Sequence, residues 1–303
     1  MTTSLLPKRV SLRTYGLALV LLLPALIFFV LFVVFPVIQA ARYSLYDWKG
    51  YGPMRLAWLE NFFEMFKDKV FITALFNNLK IVAISLFIQL PLAFLFALLI
   101  GRNRSRGESI FRSIYFFPYI MAEIISGIIW KFIYHPEYGL PTQFVQLFNP
   151  DADMIALLGN VDTAFIGILI VVVWKYLGFH MILYIAGLQN VPTELEDAAT
   201  VDGANPVQVV MHVVIPSLKN TFIISIFLSV IGSFNVFDIV WALGQGGPVN
   251  STETLVTYLY KFGFRRNAFG YGCAVAVTIF LICFVFNLVY QRFITQGEKN
   301  GTR

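Results

Sequence analysis

An all-α membrane protein with six spanning helices is the fold class that this sequence predicts. Three observations lead there. The 303-residue chain is 58% hydrophobic and 13% charged, against roughly 45–50% and about 25% in a soluble domain. Its apolar residues gather in six runs, each close to the roughly 20 residues that a helix needs to cross a bilayer. Lysine and arginine are shared unevenly among the segments that join those runs.

The runs are 15–38, 79–100, 114–134, 165–188, 222–243 and 273–293. In lipid every backbone amide must find a partner within its own segment, so each run is read as a helix. Pro24, Pro91 and Pro118 interrupt three of them, which neighbouring helices in a bundle tolerate. The first run follows Lys8, Arg9 and Arg13, as a signal peptide would. It is too long for a signal core of about 7–15 residues, and no clear A-x-A cleavage site follows it.

Charge sets the orientation. With the N-terminus inside, the cytoplasmic segments hold Lys8, Arg9 and Arg13, then Arg102, Arg104, Arg106 and Arg112, then Lys219, then Arg292, Lys299 and Arg303. The segment 135–163 has neither lysine nor arginine and falls outside. Segments 39–78 and 244–272 carry basic residues too, which weakens the contrast, but the balance still puts both termini in the cytoplasm. The expected organisation is a cytoplasmic N-terminus over 1–14, a six-helix transmembrane domain over 15–294 and a cytoplasmic tail over 295–303. Within 39–78, Phe62, Phe63, Phe66, Val70 and Phe71 recur at helical spacing and suggest an interfacial helix lying flat.

The segment 189–221 is cytoplasmic in this topology and unusually well defined. Its acids Glu194, Glu196, Asp197 and Asp202 would be repelled by an anionic inner leaflet, so lipid is a poor partner for it. Thr193 and Glu196 have the spacing of a capping box, which starts a helix at Thr193. Ala198 and Ala199 leave that helix a flat surface, and Gly203 supplies the left-handed residue that ends it. Asn205 then caps a second helix with Pro206 at its first position. Val207, Val210, Met211 and Val214 give that helix one apolar stripe, and Pro216 ends it. The features describe a rigid knob or, read plainly, an amphipathic loop packed on its own bundle.

Chemistry-bearing motifs are missing elsewhere. The sequence contains no G-x-x-x-x-G-K-[ST], H-E-x-x-H or G-x-S-x-G, so neither nucleotide hydrolysis nor another catalytic activity is expected of this chain. His135, His180 and His212 lie far apart, and Cys273 and Cys283 share one apolar run, which suggests neither metal site nor disulfide framework. The net charge of +5 is scattered, with no basic stripe for nucleic acid. Two ionisable residues stand near the centre of their spans. Lys175 is ten residues past Phe165 and Glu123 nine past Ile114, which puts each roughly 14–15 Å into its span. Intramembrane charges pair or line a water-filled path. Glu123 and Lys175 therefore either form an ion pair holding two helices in register or flank a solute path, where a lysine would favour an anionic solute.

Segment 194–216 resembles the EAA loop of binding-protein-dependent ABC importer permeases. The matching positions are Asp197-Ala198-Ala199, Asp202-Gly203-Ala204 and Val213-Val214-Ile215-Pro216, with Asp197 where the family usually has Glu and Val210 where it often has Phe. The stretches "WLENFFEMFKDKVFITALFNNLK", "WKYLGFHMILYIAGLQNVP", "FNVFDIVWALGQGGP" and "TLVTYLYKFGFRRNAFGYGCAVAV" resemble the carbohydrate branch, of the maltose and glycerol-phosphate type.

The resemblance implies a type I importer permease fold in a bacterial cytoplasmic (inner) membrane, with coupling helices between spans four and five. It implies a second permease subunit, two ATPase subunits, an extracytoplasmic solute-binding protein and a sugar-like solute. No cofactor is expected on this chain, ATP and Mg being bound by the partner ATPase. The expected ATPase-coupling residues are Glu194, Glu196, Asp197, Ala198, Ala199, Asp202, Gly203, Ala204, Pro206, Met211 and Pro216. Glu123, Trp174, Lys175, Tyr176, Asn235 and Asp238 are assigned to the solute path. Gly246, Gly247 and Pro248 mark an external loop over 244–271 that faces the binding protein, or form a plain external turn. An ion-coupled secondary transporter and a membrane-embedded enzyme are the alternative classes. The first would usually show repeats with matching helix breaks, and no repeat is evident.

Overall fold

A computed structural model of the chain describes residues 12–101 and 108–301. Lys8, Arg9, Arg102, Arg104, Arg106 and Arg303, which entered the charge count, lie outside the described residues. Thirteen helices hold most of the described residues, with one small hairpin of Tyr46–Asp47 (β1) and Arg55–Leu56 (β2). Four helices are long and apolar enough to cross a membrane, and two bent helix pairs bring the number to as many as six.

Helix α1 covers residues 12–43 and passes through a π turn at Val30–Val34. It is exposed along most of its membrane length and touches the bundle where Pro36, Val37, Ala40 and Ala41 meet the last helix. After the hairpin, α2 (Glu60–Lys67) stops at Asp68, which caps α3 (Lys69–Gly101) by accepting from the Val70 amide at 2.8 Å. That cap corrects the flat interfacial helix. Phe63 and Phe66 are exposed, but Met65 and Phe71 are fully buried in the bundle, so the aromatic run is split between two helices. Helix α3 also begins ten residues before the apolar run at 79, because its polar Asn77 and Asn78 are buried and bonded, not solvated.

The third run is not one helix. α4 (Glu108–Ile120) and α5 (Glu123–Ile133) meet at 99°, so depth counted along a single rod does not apply to Glu123. A short α6 (Leu140–Gln146) lies between α5 and the long α7 (Val161–Leu188), which Asn160 caps. α8 (Thr193–Val201) and α9 (Pro206–Ser217) form the loop knob, and α9 turns by 71° into α10 (Lys219–Phe234). The fifth run is broken in the same way. α10 stops at Phe234 and a separate α11 (Asp238–Gly244) follows. α12 covers 255–264 and ends in a π turn, and α13 (Phe269–Gly301) closes the chain.

Three of the four π turns share a cause. The turns at Val30–Val34, Ser85–Gln89 and Val210–Val214 each stand just ahead of a proline, Pro36, Pro91 and Pro216. A proline ring in a regular α-helix removes one amide and collides with the carbonyl four residues back. The wider turn relieves that collision while the residue before each ring still donates to the carbonyl five back, as Leu90 does to Ser85.

α7 is the axis of the bundle. Ala93 and Ala97 of α3 pack against Leu177, Met181 and Ile185 on one stretch of it. Ile81, Val236, Ile239 and Val240 pack against Phe165, Ile168, Val171 and Val172 on another. Gly178 lets α4 approach: a Cβ at that position would lie 1.9 Å from the Tyr115 carbonyl oxygen. Backbone cannot move aside for such a contact without shifting the whole helix. Gly178→Ala should therefore lower the melting temperature of the purified protein, by an overpacking cost of about 1–3 kcal/mol, and Gly178→Val should give little folded material in detergent. An unchanged melting curve for Gly178→Ala would contradict the close approach.

Candidate transport site and coupling knob

The knob is built from local signals. α8 begins at Thr193, as expected, but Pro192 is the capping residue and offers no side-chain hydrogen bond, so the predicted cap at Thr193 is corrected by one position. At the other end Gly203 has φ +88°. Its amide donates to the Thr200 carbonyl at 3.0 Å and the Ala204 amide to the Ala199 carbonyl at 2.9 Å, which closes the paired C-terminal motif that a left-handed glycine permits. Asn205 caps α9 reciprocally with Gln208: the Gln208 amide donates to Asn205 Oδ1 at 2.9 Å, and the Asn205 amide to Gln208 Oε1 at 2.8 Å. Pro206 occupies the first turn.

The apolar stripe of α9 is not the predicted one. Val209 and Val214 are buried, five residues apart, because the π turn between them advances the face by one residue more than an α turn does. Val207 and Met211 are left 71% and 56% exposed. Pro216 lies within the last turn of α9, and the bend comes at Leu218. Val209, Val214 and Leu218 root the knob on Leu177, Met181, Tyr184 and Leu188 of α7, with Ala199 and Ala204 packed at its edge. Glu194, Asp197, Ala198, Asp202, Val207 and Met211 face outward.

Inside the bundle, Lys175 and Glu123 take separate partners. Lys175 is 1% exposed, and its ammonium donates to the carbonyls of Pro118 (2.7 Å), Tyr119 (3.4 Å) and Met121. Those carbonyls end α4 at the 99° break, where no further helical amide is available. A cation at a helix C-terminus also meets the negative end of its dipole. Glu123 accepts instead from the Tyr176 hydroxyl. The direct ion pair is thus replaced by a lysine that caps a break and a carboxylate held by a phenol.

A cavity of about 220 Å³ opens beside Tyr176, between α3, α7 and α10. Ser85, Gln89, Tyr119, Tyr176, His180, Ser229 and Ser233 supply its polar wall. His180 Nδ1 lies 2.8 Å from Ser225 Oγ, and the buried Ser229 hydroxyl has no hydrogen-bond partner. Of the six path residues expected from sequence, Tyr176 lines this cavity and Glu123 reaches it through Tyr176. Trp174 packs on Trp130 at 5.4 Å, Asn235 is exposed with its amide on the Ile231 carbonyl, and Asp238 starts α11. Gln89, His180, Ser229 and Ser233 were missed; the signal for them was polar residues inside apolar runs, which charge alone had represented.

The external loop is tightly held. Gly246 has φ +82°, and a Cβ there would lie 2.2 Å from the Glu253 carboxylate. Gly247–Pro248 is a cis peptide, and the Thr252 hydroxyl donates to the Gly247 carbonyl at 2.7 Å. Glu253 is fully buried, accepts from Thr257 Oγ1 at 2.6 Å and pairs with Lys261 at 2.7 Å.

A bundle of long, broken and π-turned membrane helices around a polar cavity, with a knob at one end, defines a membrane transport component. The description "Binding-protein-dependent transport system inner membrane component" matches residues 89–295, and the chain belongs to that family. It is 32% identical over 280 residues to the "Probable ABC transporter permease protein YurN" of Bacillus subtilis, covering 92% of this chain and 96% of the relative. It is 33% identical over 289 residues to the "Diacetylchitobiose uptake system permease protein NgcF" of Streptomyces coelicolor, covering 91% and 82%. The fold matches a chain of a bacterial ABC transporter involved in the import of the acidic polysaccharide alginate, with a TM-score of 0.82 at 21% identity, over 94% and 96% of the two chains. The protein is accordingly a multi-pass membrane permease component and not an enzyme.

Lys175→Met should leave three carbonyls unmet within the bundle and sharply reduce the amount of folded protein in the membrane. Because Glu123 is held by Tyr176, Glu123→Gln should not restore it. Recovery in the double variant, read by immunoblot of membranes, would reinstate the direct ion pair.

Proposed function

We propose that this chain is the membrane subunit of an ATP-driven sugar importer and forms part of the solute path. The knob of α8 and α9 engages a separate ATPase subunit. The observation that carries this reading is the knob itself. It is rooted in the α7 core by Val209, Val214 and Leu218, yet it turns acids and the apolar Val207 and Met211 outward. A rigid lever with an uncovered mixed surface suits seating in a protein groove, and its root would pass movement to the bundle axis. Glu194, Asp197, Ala198, Asp202 and Met211 would make contact, while Gly203, Ala204, Pro206 and Pro216 would set the angle between the helices, with Glu196 and Ala199 supporting the first.

The assembly would contain a second permease chain, two ATPase subunits carrying ATP and Mg, and an extracytoplasmic binding protein at the loop with Gly246, Gly247 and Pro248. The permease unit would extend over 15–294, with both termini cytoplasmic. The solute path would run through the cavity beside Tyr176. Its wall offers hydroxyls, an amide and an imidazole but no charged group, and Lys175 is occupied by backbone. That chemistry favours an uncharged, hydroxyl-rich sugar over an anionic one. Relatives named for sugar uptake, such as the diacetylchitobiose permease, support the solute class. Melting shifts of the cognate binding protein across a panel of neutral and acidic sugars test it; shifts confined to acidic sugars would overturn it.

A side chain added at Gly203 meets nothing within 4 Å, so its cost is conformational, about 1–2 kcal/mol for a residue forced into the left-handed region. Gly203→Val should leave the protein in the membrane, re-aim α9 and abolish uptake, with the ATPase lost from the complex or uncoupled. Normal uptake with normal ATPase stimulation would remove the coupling role of the knob.

A further inference from the structure

Two adjacent buried amides hold the external loop, and one of them also reaches the cavity wall. Asn77 and Asn78, both on α3, are at most 1% exposed. Asn77 Nδ2 donates to the carbonyls of Ser251 (2.8 Å) and Glu253 (2.9 Å) in the external loop. Asn78 faces two ways. Its Oδ1 accepts from the Leu255 amide at 2.8 Å, where α12 begins, and its Nδ2 donates to the Ser233 carbonyl at 2.6 Å, at the end of α10. A second strut runs beside it, from Thr254 Oγ1 to the Val236 carbonyl at 2.8 Å. Ser233 and Val236 line the cavity.

We propose that Asn78, with Thr254, is a positioning residue that transmits movement of the external loop to the cavity wall at the break between α10 and α11. The proposal rests on the importer reading above, in which the loop meets the binding protein. The loop is stiff enough to act as one body, since Glu253 joins Thr257 and Lys261, and Lys261 also donates to Asn250 Oδ1 at 2.8 Å. The receiving end is the opposite. At the break the carbonyls of Ser233 and Val236 are held by Asn78 and Thr254 in place of helical amides. The loop therefore holds Val236 directly through Thr254, and Ser233 through Asn78 of α3. Binding-protein docking that shifts residues 251–255 would therefore carry Ser233 and Val236 with it and change the cavity's shape.

Thr254→Val removes, at nearly constant volume, both the Val236 hydrogen bond and the side-chain cap that Thr254 gives the start of α12, and Asn78→Leu removes both of its bonds. Each variant would be purified as the complete transporter, reconstituted in liposomes and assayed for ATPase activity. The assay is run alone and with the cognate binding protein, loaded with the panel sugar that raises its melting temperature most. The expected result is basal ATPase within about twofold of wild type in both variants. Stimulation by the loaded binding protein should fall about threefold or more in Thr254→Val, and about tenfold or more in Asn78→Leu. A packing defect alone would lower complex yield and basal activity together, and would not split them. Should Asn78→Leu fail to assemble, Thr254→Val decides. Wild-type stimulation in an assembled variant overturns the proposal. A wild-type complex that ignores its loaded binding protein overturns the importer reading, and the strut with it.

Discussion

Hydrogen bonding of the backbone where water cannot reach is the constraint on which this structure depends. An unbroken membrane helix satisfies it internally. This chain breaks its helices at 120–123 and at 234–238, and each break leaves carbonyls without helical amides. At the first break the ammonium of Lys175 gathers three of them. At the second, the Asn78 amide and the Thr254 hydroxyl take one each. Lys175, Asn78 and Thr254 are thus placed where the backbone bends, and the cavity is lined from both bends, by Tyr119 at the first and by Ser233 and Val236 at the second.

The same constraint explains what was legible in the sequence. Hydropathy found the long helices because α7, and α13 over Phe269–Arg292, are largely apolar, and the loop knob was legible because capping residues act locally. Gly203, Asn205 and Pro206 behave as their residue types require in any context. The breaks in the third and fifth runs were hidden, because a bent pair and a straight rod have the same composition. Pro118 lies within α4, and the bend follows Ile120, where Lys175 holds the freed carbonyls and α5 packs closely against Ile239 and Ala242 of α11.

The candidate site was read less completely, for a related reason. Charge is conspicuous inside an apolar run, so Glu123 and Lys175 drew attention, yet Lys175 is spent on backbone. The cavity is walled instead by Ser85, Gln89, His180, Ser229 and Ser233, small or neutral groups that no pattern distinguishes from tolerated polar residues until three helices are brought together. The apolar stripe of α9 failed on one residue of helical phase, because spacing assumed an α turn where Val210–Val214 is wider.

The π turns bear on how such a chain can vary over evolution. A π turn amounts to one residue added to an α-helix while the flanking segments continue along the same axis. At Ser85–Gln89 and Val210–Val214 the helix has already absorbed that residue. Relatives that lack the following proline can lose a residue at these points and keep both flanking faces in register. Single-residue gaps inside these helices, elsewhere a sign of misalignment, would then be compatible with descent from a common bundle.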